Sequence, residues 1–299
     1  MQSFFNHFTF FLYLFQLENY NRRRFLKLSL LRVFTSDKGL RRQELVWTIK
    51  AVLLFSLSVF LIFFLSFLSF WYLSFNGSSL LFKFSFPIFL FVFLFYFFFL
   101  PLIFSSWILF PFDFLAKKII VLRARKKLSR LSKIKIIGIT GSYGKTTMKE
   151  MLFSVLSEKF KIAKTPENIN TPLGIARFIL RELPLETEIF IVEMGAYKKG
   201  DIKELCLLTP PDVAVLTGIN ESHLERFGNL SNTISAKFEI VRFSKTNASV
   251  FLNADDSKIV ANFERYLENR KVLFFSSKPN HLSKFNPRGI KFLEDGSGL

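Results

Sequence analysis

The sequence predicts an α/β domain with a mainly parallel sheet, preceded by an all-α region that forms a transmembrane hairpin. Two long stretches without a charged residue, 51–81 and 84–112, indicate the hairpin. Beyond about Ile134, short apolar segments alternate with helix-like segments, a pattern typical of parallel strands whose sheet is covered by helices on both faces. We therefore divide the chain into a membrane region, 1–133, and an α/β domain, 134–299.

The composition supports this division. The 299 residues are 50% hydrophobic and include 42 Phe, with a mean hydropathy of +0.31 and a formal net charge of +18. This apolar content excludes a disordered chain, and a single soluble domain does not combine it with so high a charge. Cys206 is the only cysteine, which excludes an intrachain disulfide. The sequence shows no zinc-finger spacing and no aromatic RNA-binding signature, so we expect no nucleic-acid partner.

The hairpin is predicted from length and from charge. Each uncharged stretch exceeds the roughly 20 residues that cross a bilayer as a helix, and we predict spans at about 48–75 and 86–112. Basic residues precede the first span and follow the second, which predicts a multi-pass protein of the cytoplasmic membrane with both flanks in the cytoplasm. These cations are also expected to contact membrane lipids. The apolar segment 4–17 is short for a span, and is either a truncated third span or an interfacial helix.

The strands and helices of the α/β domain follow from its alternating pattern. We predict strands at 135–140, 188–193, 212–217, 248–252 and 271–275. We predict helices at about 146–158, 173–182, 201–208 and 232–243. Open α/β sheets bind ligands beyond the carboxyl ends of their strands, so the candidate site residues are sought there.

The turn after the first predicted strand has the composition of a phosphate-binding loop. It reads Gly138-Ile139-Thr140-Gly141-Ser142-Tyr143-Gly144-Lys145-Thr146-Thr147. Gly141 and Gly144 allow a tight turn whose N–H groups face an anion at the start of a helix. Lys145 would reach the outer phosphates, and the Thr146 hydroxyl would ligate Mg²⁺. The general pattern asks for glycine five positions before Gly144, where this chain has Ile139.

This loop resembles the ATP-binding loop of the Mur ligases, the ATP-dependent amide-bond ligases of peptidoglycan precursor synthesis. The resemblance continues through segments 165–174, 192–196, 200–202, 223–228, 236–240 and 253–256. It implies that 134–299 is a P-loop Mur ligase central domain. Within the family, the chain is most similar to enzymes that add D-alanyl-D-alanine to a UDP-N-acetylmuramoyl tripeptide. ATP, Mg²⁺ and these two substrates are therefore the implied ligands, and the domain would lie in the cytoplasm.

The resemblance also implies roles for individual residues. Such enzymes transfer the γ-phosphate of ATP to a carboxylate, and an amine then displaces phosphate from the acyl phosphate. Metal ligands would be Thr146 and Glu193 for one Mg²⁺ and His223 for a second, while Lys237 occupies the position that many Mur ligases carbamylate. Lys145, His223 and Lys237 would act in catalysis. The implied nucleotide-binding residues are Gly141, Ser142, Tyr143, Gly144, Lys145, Thr146, Thr147, Asn168, Asn253 and Asp256.

Other interpretations remain open. Lys237 could be a solvated charge, His223 a surface histidine, and Asn253 and Asp256 parts of a turn and a helix cap. The family normally has a UDP-sugar domain before this domain and a further α/β domain after it, so the chain is expected to be a fragment. It could then be a membrane-tethered nucleotide-binding scaffold, or another Mur-type ligase. A transport or signalling ATPase is disfavoured because the predicted strand ends in Glu193, where such an enzyme would have Asp.

Overall fold

The chain forms two compact units, Met1–Leu115 and Ala116–Leu299. The computed structural model describes residues 2–18, 20–32, 45–75, 79–131, 133–167, 169–196, 198–221, 227–267, 270–277 and 282–285. The first unit is helical. Its helices are α1 (Gln2–Leu17), α2 (Arg22–Arg32), α3 (Ile49–Phe75), α4 (Leu80–Tyr96) and α5 (Phe99–Arg130), the last of which ends in the second unit.

Two helices of the described part, α3 and α5, are long and apolar enough to cross a membrane. The structure does not contain the predicted second span as one helix, because 86–112 is divided between α4 and α5. Pro101 accounts for the break. Proline has no N–H to donate to the carbonyl four residues earlier, and its ring collides with that carbonyl, so it fits the first turn of a new helix.

The first unit has an aromatic-rich core. Phe11, Leu12 and Phe15 of α1 are buried in one cluster with Leu54 of α3 and Leu102 of α5. The segment predicted as either a third span or an interfacial helix is thus helical, and its part between residues 8 and 15 contributes to this core.

Two polar contacts join α3 to α5. The hydroxyls of Ser58 and Ser105, both fully buried, are 2.9 Å apart. Lys50 Nζ is 3.0 Å from Asp113 Oδ2.

The second unit is built on a seven-stranded sheet in the order β2-β3-β1-β4-β5-β6-β7, with every described pair parallel. The strands are β1 (Lys135–Thr140), β2 (Ile162–Lys164), β3 (Ile189–Glu193), β4 (Val213–Leu216), β5 (Ser249–Asn253), β6 (Lys271–Phe275) and β7 (Ser283–Phe285). The helices are α6 (Lys145–Ser157), α7 (Pro172–Arg181), α8 (Asp201–Leu208), α9 (Leu230–Phe243), the short α10 (Ser257–Val260) and a 3-10 turn at Phe263–Tyr266.

The predicted mainly parallel α/β architecture is confirmed. All five predicted strands and all four predicted helices of this domain are present, with boundaries shifted by no more than two residues. The strands that the sequence analysis missed, β2 and β7, have three residues each. A segment of three residues is too short for the alternation of apolar and polar residues to be recognised in the sequence.

Alternate residues of the central strands point to opposite faces of the sheet, and helices cover both. Ile136, Phe190 and Val192 belong to the larger cluster, which also contains buried residues of α7, α8 and α9. Ile137 and Ile191 belong to a smaller cluster under α6. This two-sided burial explains why the strands read as nearly continuous apolar runs.

The end of α5 belongs to the second unit, although the sequence analysis assigned it to the membrane region. Ala124 and Leu128 are buried in the larger cluster of the α/β unit. Lys127 Nζ donates to the carbonyl of Leu183 at 2.7 Å and lies 3.5 Å from the carbonyl of Leu180 in the last turn of α7. A lysine in this place satisfies carbonyls that a helix end leaves without partners.

Candidate active site

The glycine-rich loop lies at the centre of the sheet's carboxyl edge, because β1 is paired with β3 on one side and β4 on the other. Two glycines are required by its geometry. Gly144 has φ +73, a left-handed conformation that is costly for other residues. A Cβ on Gly141 would collide with Thr217 Oγ1. The loop therefore fits closely against the segment that follows β4.

Hydrogen bonds fix the loop to that segment. Ser142 N donates to the carbonyl of Gly218 at 2.7 Å, and the Thr217 hydroxyl donates to the carbonyl of Tyr143 at 2.5 Å. The Tyr143 hydroxyl donates to Asp256 Oδ2 at 3.0 Å. Ser142 Oγ is buried and makes no hydrogen bond with the described residues. It is thus an unused polar group inside the loop, as expected of one that meets a ligand.

Lys145 opens α6 and turns back over the loop. Its Nζ donates to the carbonyl of Gly141 at 2.9 Å. Burial lowers the pKa of this amine, and the negative charge of Glu193 opposes that shift. Thr147, the last residue of the predicted loop motif, is exposed.

The structure brings Thr146 and Glu193 together, as the sequence analysis required of two ligands of one ion. The Thr146 hydroxyl donates to Glu193 Oε2 at 3.0 Å, and Glu193 ends β3 with 6% of its surface exposed. Its main-chain N–H donates to the hydroxyl of Thr165 at 3.0 Å.

This donor set suits magnesium. A hydroxyl and a carboxylate are hard oxygen donors, and Mg²⁺ commonly uses one or two protein oxygens together with phosphate and water. The described residues contain no cluster of three or more His, Cys, Asp or Glu side chains, so a cage formed by protein side chains alone is not found there.

Two residues that contact these groups were missed by the sequence analysis. Lys149 Nζ lies 3.3 Å from Glu193 Oε2, and Thr217 holds the loop as described above. The sequence does contain a feature that could have identified Lys149. It lies four residues after Lys145, so both side chains are on the same side of α6. Thr217 directly follows β4, so its place at the carboxyl edge was the available signal.

Lys237 is not a solvated charge. It lies in the middle of α9 with 4% of its surface exposed. Burial, reinforced by the positive charge of Lys145 and opposed by Asp201, lowers its pKa from 10.5 to about 8. A lysine with this pKa is neutral and nucleophilic in about a tenth of molecules at pH 7, far more than an ordinary lysine.

Asn253 and Asp256 act as parts of a turn and a helix cap. Asn253 Nδ2 donates to the carbonyl of Thr217 at 2.8 Å. Asp256 Oδ1 accepts from the first N–H groups of α10, and its Oδ2 accepts from Ile219 N at 2.7 Å and from the Tyr143 hydroxyl. Both side chains thus tie neighbouring loops to the phosphate-binding loop. Their contact with a nucleotide stays a prediction.

Two predicted site residues, Asn168 and His223, lie outside the described residues. The neighbouring Asn170 is described. Its carbonyl accepts from Gly195 N at 3.3 Å, and its side chain lies so close to Gly195 that a Cβ there would be only 2.8 Å from Asn170 Cγ. The segment after β2 therefore packs against the segment after β3, beside Glu193.

Residues 139–298, more than half of the chain, match the family model of the Mur ligase middle domain. The UDP-N-acetylmuramoyl-tripeptide--D-alanyl-D-alanine ligase of Buchnera aphidicola is 34% identical over 168 residues, which are 56% of this chain and 36% of the relative. The ligase of the same name from Bacillus subtilis is 38% identical over 122 residues, which are 41% of this chain and 26% of the relative. The chain thus spans little more than a third, at most, of these relatives' length.

Solved structures give the same picture. The MurF ligase from Thermotoga maritima in complex with ADP matches with a TM-score of 0.51 and 39% identity, over 55% of this chain and 37% of that chain. A MurF structure from Acinetobacter baumannii matches with a TM-score of 0.54 and 27% identity, over 59% of this chain and 38% of that chain.

We expect Lys237 to make the stability of the protein depend on pH. Because its pKa is about 8 when folded and 10.5 when free, the unfolded chain binds more protons between these values, and stability rises with pH across this window. Lys237→Met should therefore be more stable than the wild type below about pH 8, by about 3 kcal/mol, and lose this advantage towards pH 10.5. Urea unfolding at several pH values in bicarbonate-free buffer measures the difference. Parallel curves for the two proteins would contradict it.

Proposed function

The chain belongs to the Mur ligase family through its middle domain, and we propose that it is an ATP-dependent amide-bond ligase of peptidoglycan precursor synthesis. The observation that carries this proposal is the contact of Thr146 with Glu193 beside the glycine loop at the carboxyl edge of the sheet. Hydroxyl, carboxylate and loop lysine together form a binding arrangement for a metal-bound triphosphate.

The names of the relatives support a substrate pair. The curated relatives are named as ligases of UDP-N-acetylmuramoyl-tripeptide and D-alanyl-D-alanine, and one matching structure contains ADP. We propose the same two substrates, with ATP as the phosphate donor.

The main chain of the loop and two of its side chains have proposed tasks. Main-chain N–H groups between Tyr143 and Thr146 would face the phosphates, where the start of α6 also favours negative charge. The Ser142 hydroxyl, which has no partner among the described residues, would donate to or accept from the nucleotide. Lys145 would exchange its hydrogen bond with the Gly141 carbonyl for one with an outer phosphate.

The chemistry is two displacements. A carboxylate oxygen of the peptide attacks the γ-phosphorus and ADP leaves, which gives an acyl phosphate. The amine of the dipeptide then attacks the acyl carbon, phosphate leaves, and the amine loses a proton to solvent. Mg²⁺ held by Thr146 and Glu193 would neutralise phosphate charge that accumulates along this path. His223 and a carbamylated Lys237 are proposed for a second metal position.

We expect Lys145→Ala and Glu193→Ala to reduce ligation by about 100-fold or more, because each removes charge stabilisation of the reacting phosphates. The assay uses the full chain in detergent with ATP, Mg²⁺, the UDP-N-acetylmuramoyl tripeptide and D-alanyl-D-alanine, and measures the ligated product by mass spectrometry. Lys159→Ala, an exposed lysine beyond the end of α6, is the control and should keep wild-type turnover.

The outcomes separate the alternatives. Normal turnover in either site variant would refute these assignments. A wild type that binds ATP but forms no product would refute the ligase and favour the nucleotide-binding scaffold.

Carbamylation of Lys237 is tested without turnover. The side chain is buried and its lowered pKa provides the neutral amine that adds to CO₂ with loss of a proton. Protein equilibrated with ¹³C-bicarbonate is expected to show a carbamate carbonyl signal by NMR, and Lys237→Met to lack it. An identical spectrum for both proteins would exclude carbamylation at this position.

We also propose that the helical unit anchors the domain to the cytoplasmic face of the membrane, where lipid-linked precursors are made. The support is the length and composition of α3 and α5 and the basic residues on both flanks. In inside-out vesicles, added protease should digest residues 134–299. Protection in those vesicles, with digestion in right-side-out ones, would overturn the orientation, and release of the chain by alkaline carbonate would overturn the anchoring.

A further inference from the structure

Lys149 occupies a place where a helix ordinarily buries an apolar side chain. Helix α6 covers one face of the sheet, and its apolar residues Met148, Leu152 and Leu156 are only partly buried. Lys149 is the one fully buried residue of this helix, all of which the structure describes. An ammonium group is withdrawn from water at a high cost unless an anion compensates it.

The compensating anion is Glu193. Lys149 Nζ lies 3.3 Å from Glu193 Oε2, and these side chains are 1% and 8% exposed. The same oxygen accepts the hydrogen bond of Thr146. Glu150 lies farther away, at 3.9 Å, and is half exposed. Lys149 Nζ makes no regular hydrogen bond with the described residues, so the ion pair with Glu193 is its main electrostatic contact.

A second lysine competes for this carboxylate. Lys145 is close enough for the charge of Glu193 to raise its pKa against the effect of burial. Its Nζ nevertheless donates to the Gly141 carbonyl, over the loop, and does not pair with Glu193. Two ammonium groups thus surround one carboxylate, and the buried one holds it.

We propose that Lys149 is a positioning residue that serves as the permanent counter-ion of Glu193 and thereby keeps Lys145 available for phosphate. The inference rests on the proposed function only in that the loop binds a nucleotide. The ion pair keeps Glu193 Oε2 next to Lys149. Glu193 therefore does not form an ion pair with Lys145, which would neutralise the positive charge of the loop. Before any metal arrives, the site then offers a free cation for phosphate and a fixed carboxylate for the ion.

The test measures ADP binding to the full chain in detergent, with EDTA present, by isothermal titration calorimetry. Lys149→Met leaves Glu193 without its buried cation, so Glu193 should pair with Lys145. This pairing should weaken metal-free ADP binding about tenfold, the value of one charge-assisted hydrogen bond. Lys149→Met/Glu193→Gln removes the competing charge as well and should restore binding to within about twofold of Glu193→Gln alone.

A matched control removes a lysine of β2 that pairs with a glutamate of α6. Lys164 pairs with Glu150 at the surface. Exposed pairs contribute little, so Lys164→Met should bind metal-free ADP within about twofold of the wild type.

The design separates this inference from the proposed function. A wild type that binds no ADP even when Mg²⁺ replaces EDTA would refute nucleotide binding itself. A wild type that binds ADP only with Mg²⁺ would overturn the inference, because Lys145 would then not be available before the metal. If the wild type binds, unchanged ADP affinity in Lys149→Met would overturn the role of Lys149. If circular dichroism shows that Lys149→Met does not fold, the ADP affinities of the double variant and of Glu193→Gln are compared instead. Equal affinities support the inference, because Lys149 should matter only while residue 193 is charged. A tenfold difference between them overturns it.

Discussion

The α/β unit depends on placing a buried carboxylate at the end of a central strand. Glu193 ends β3 with almost no exposure to water, and a negative charge in that environment is tolerated only with partners. The carboxylate accepts a hydrogen bond from the Thr146 hydroxyl and pairs with the ammonium of Lys149. The main-chain N–H of Glu193 donates to the hydroxyl of Thr165. These partners come from α6 and from the segment after β2, so the carboxylate fixes how the helix and the sheet edge meet.

The sheet order makes this arrangement possible. Because β1 lies between β3 and β4, the loop that leaves β1 has the ends of both neighbours beside it. One neighbour brings Glu193, and the other brings Thr217, whose hydroxyl binds the loop carbonyl of Tyr143. The glycine at 144, in its left-handed conformation, then directs the chain into α6. The places of the loop, of Glu193 and Thr217, and of the start of α6 therefore follow from one strand order.

Sequence reasoning was strongest where a pattern is local and long. The loop glycines and the strands of four to six residues were predicted, because such features depend on neighbouring residues. That Thr146 and Glu193 serve one ion was implied by the family resemblance. Pairing that depends on distant segments was not accessible. Lys149 reads as one more basic residue until β3 places Glu193 against it, and the break before Pro101 was hidden by the uniform apolar composition around it.

The extent of the α/β unit gives the clearest case of structure going beyond sequence pattern. The family match begins at residue 139, and the sequence pattern changes near Ile134, yet the core already includes Ala124 and Leu128 of α5. Residues 123–130 contain five cations and only two apolar residues, so their composition is typical of the flank of a membrane span. Burial of two side chains and the capping of α7 by Lys127 instead make the end of α5 part of the domain's own packing. Residues 116–130 are therefore helical and belong to the second unit, where the sequence pattern alone suggested the flank of a span.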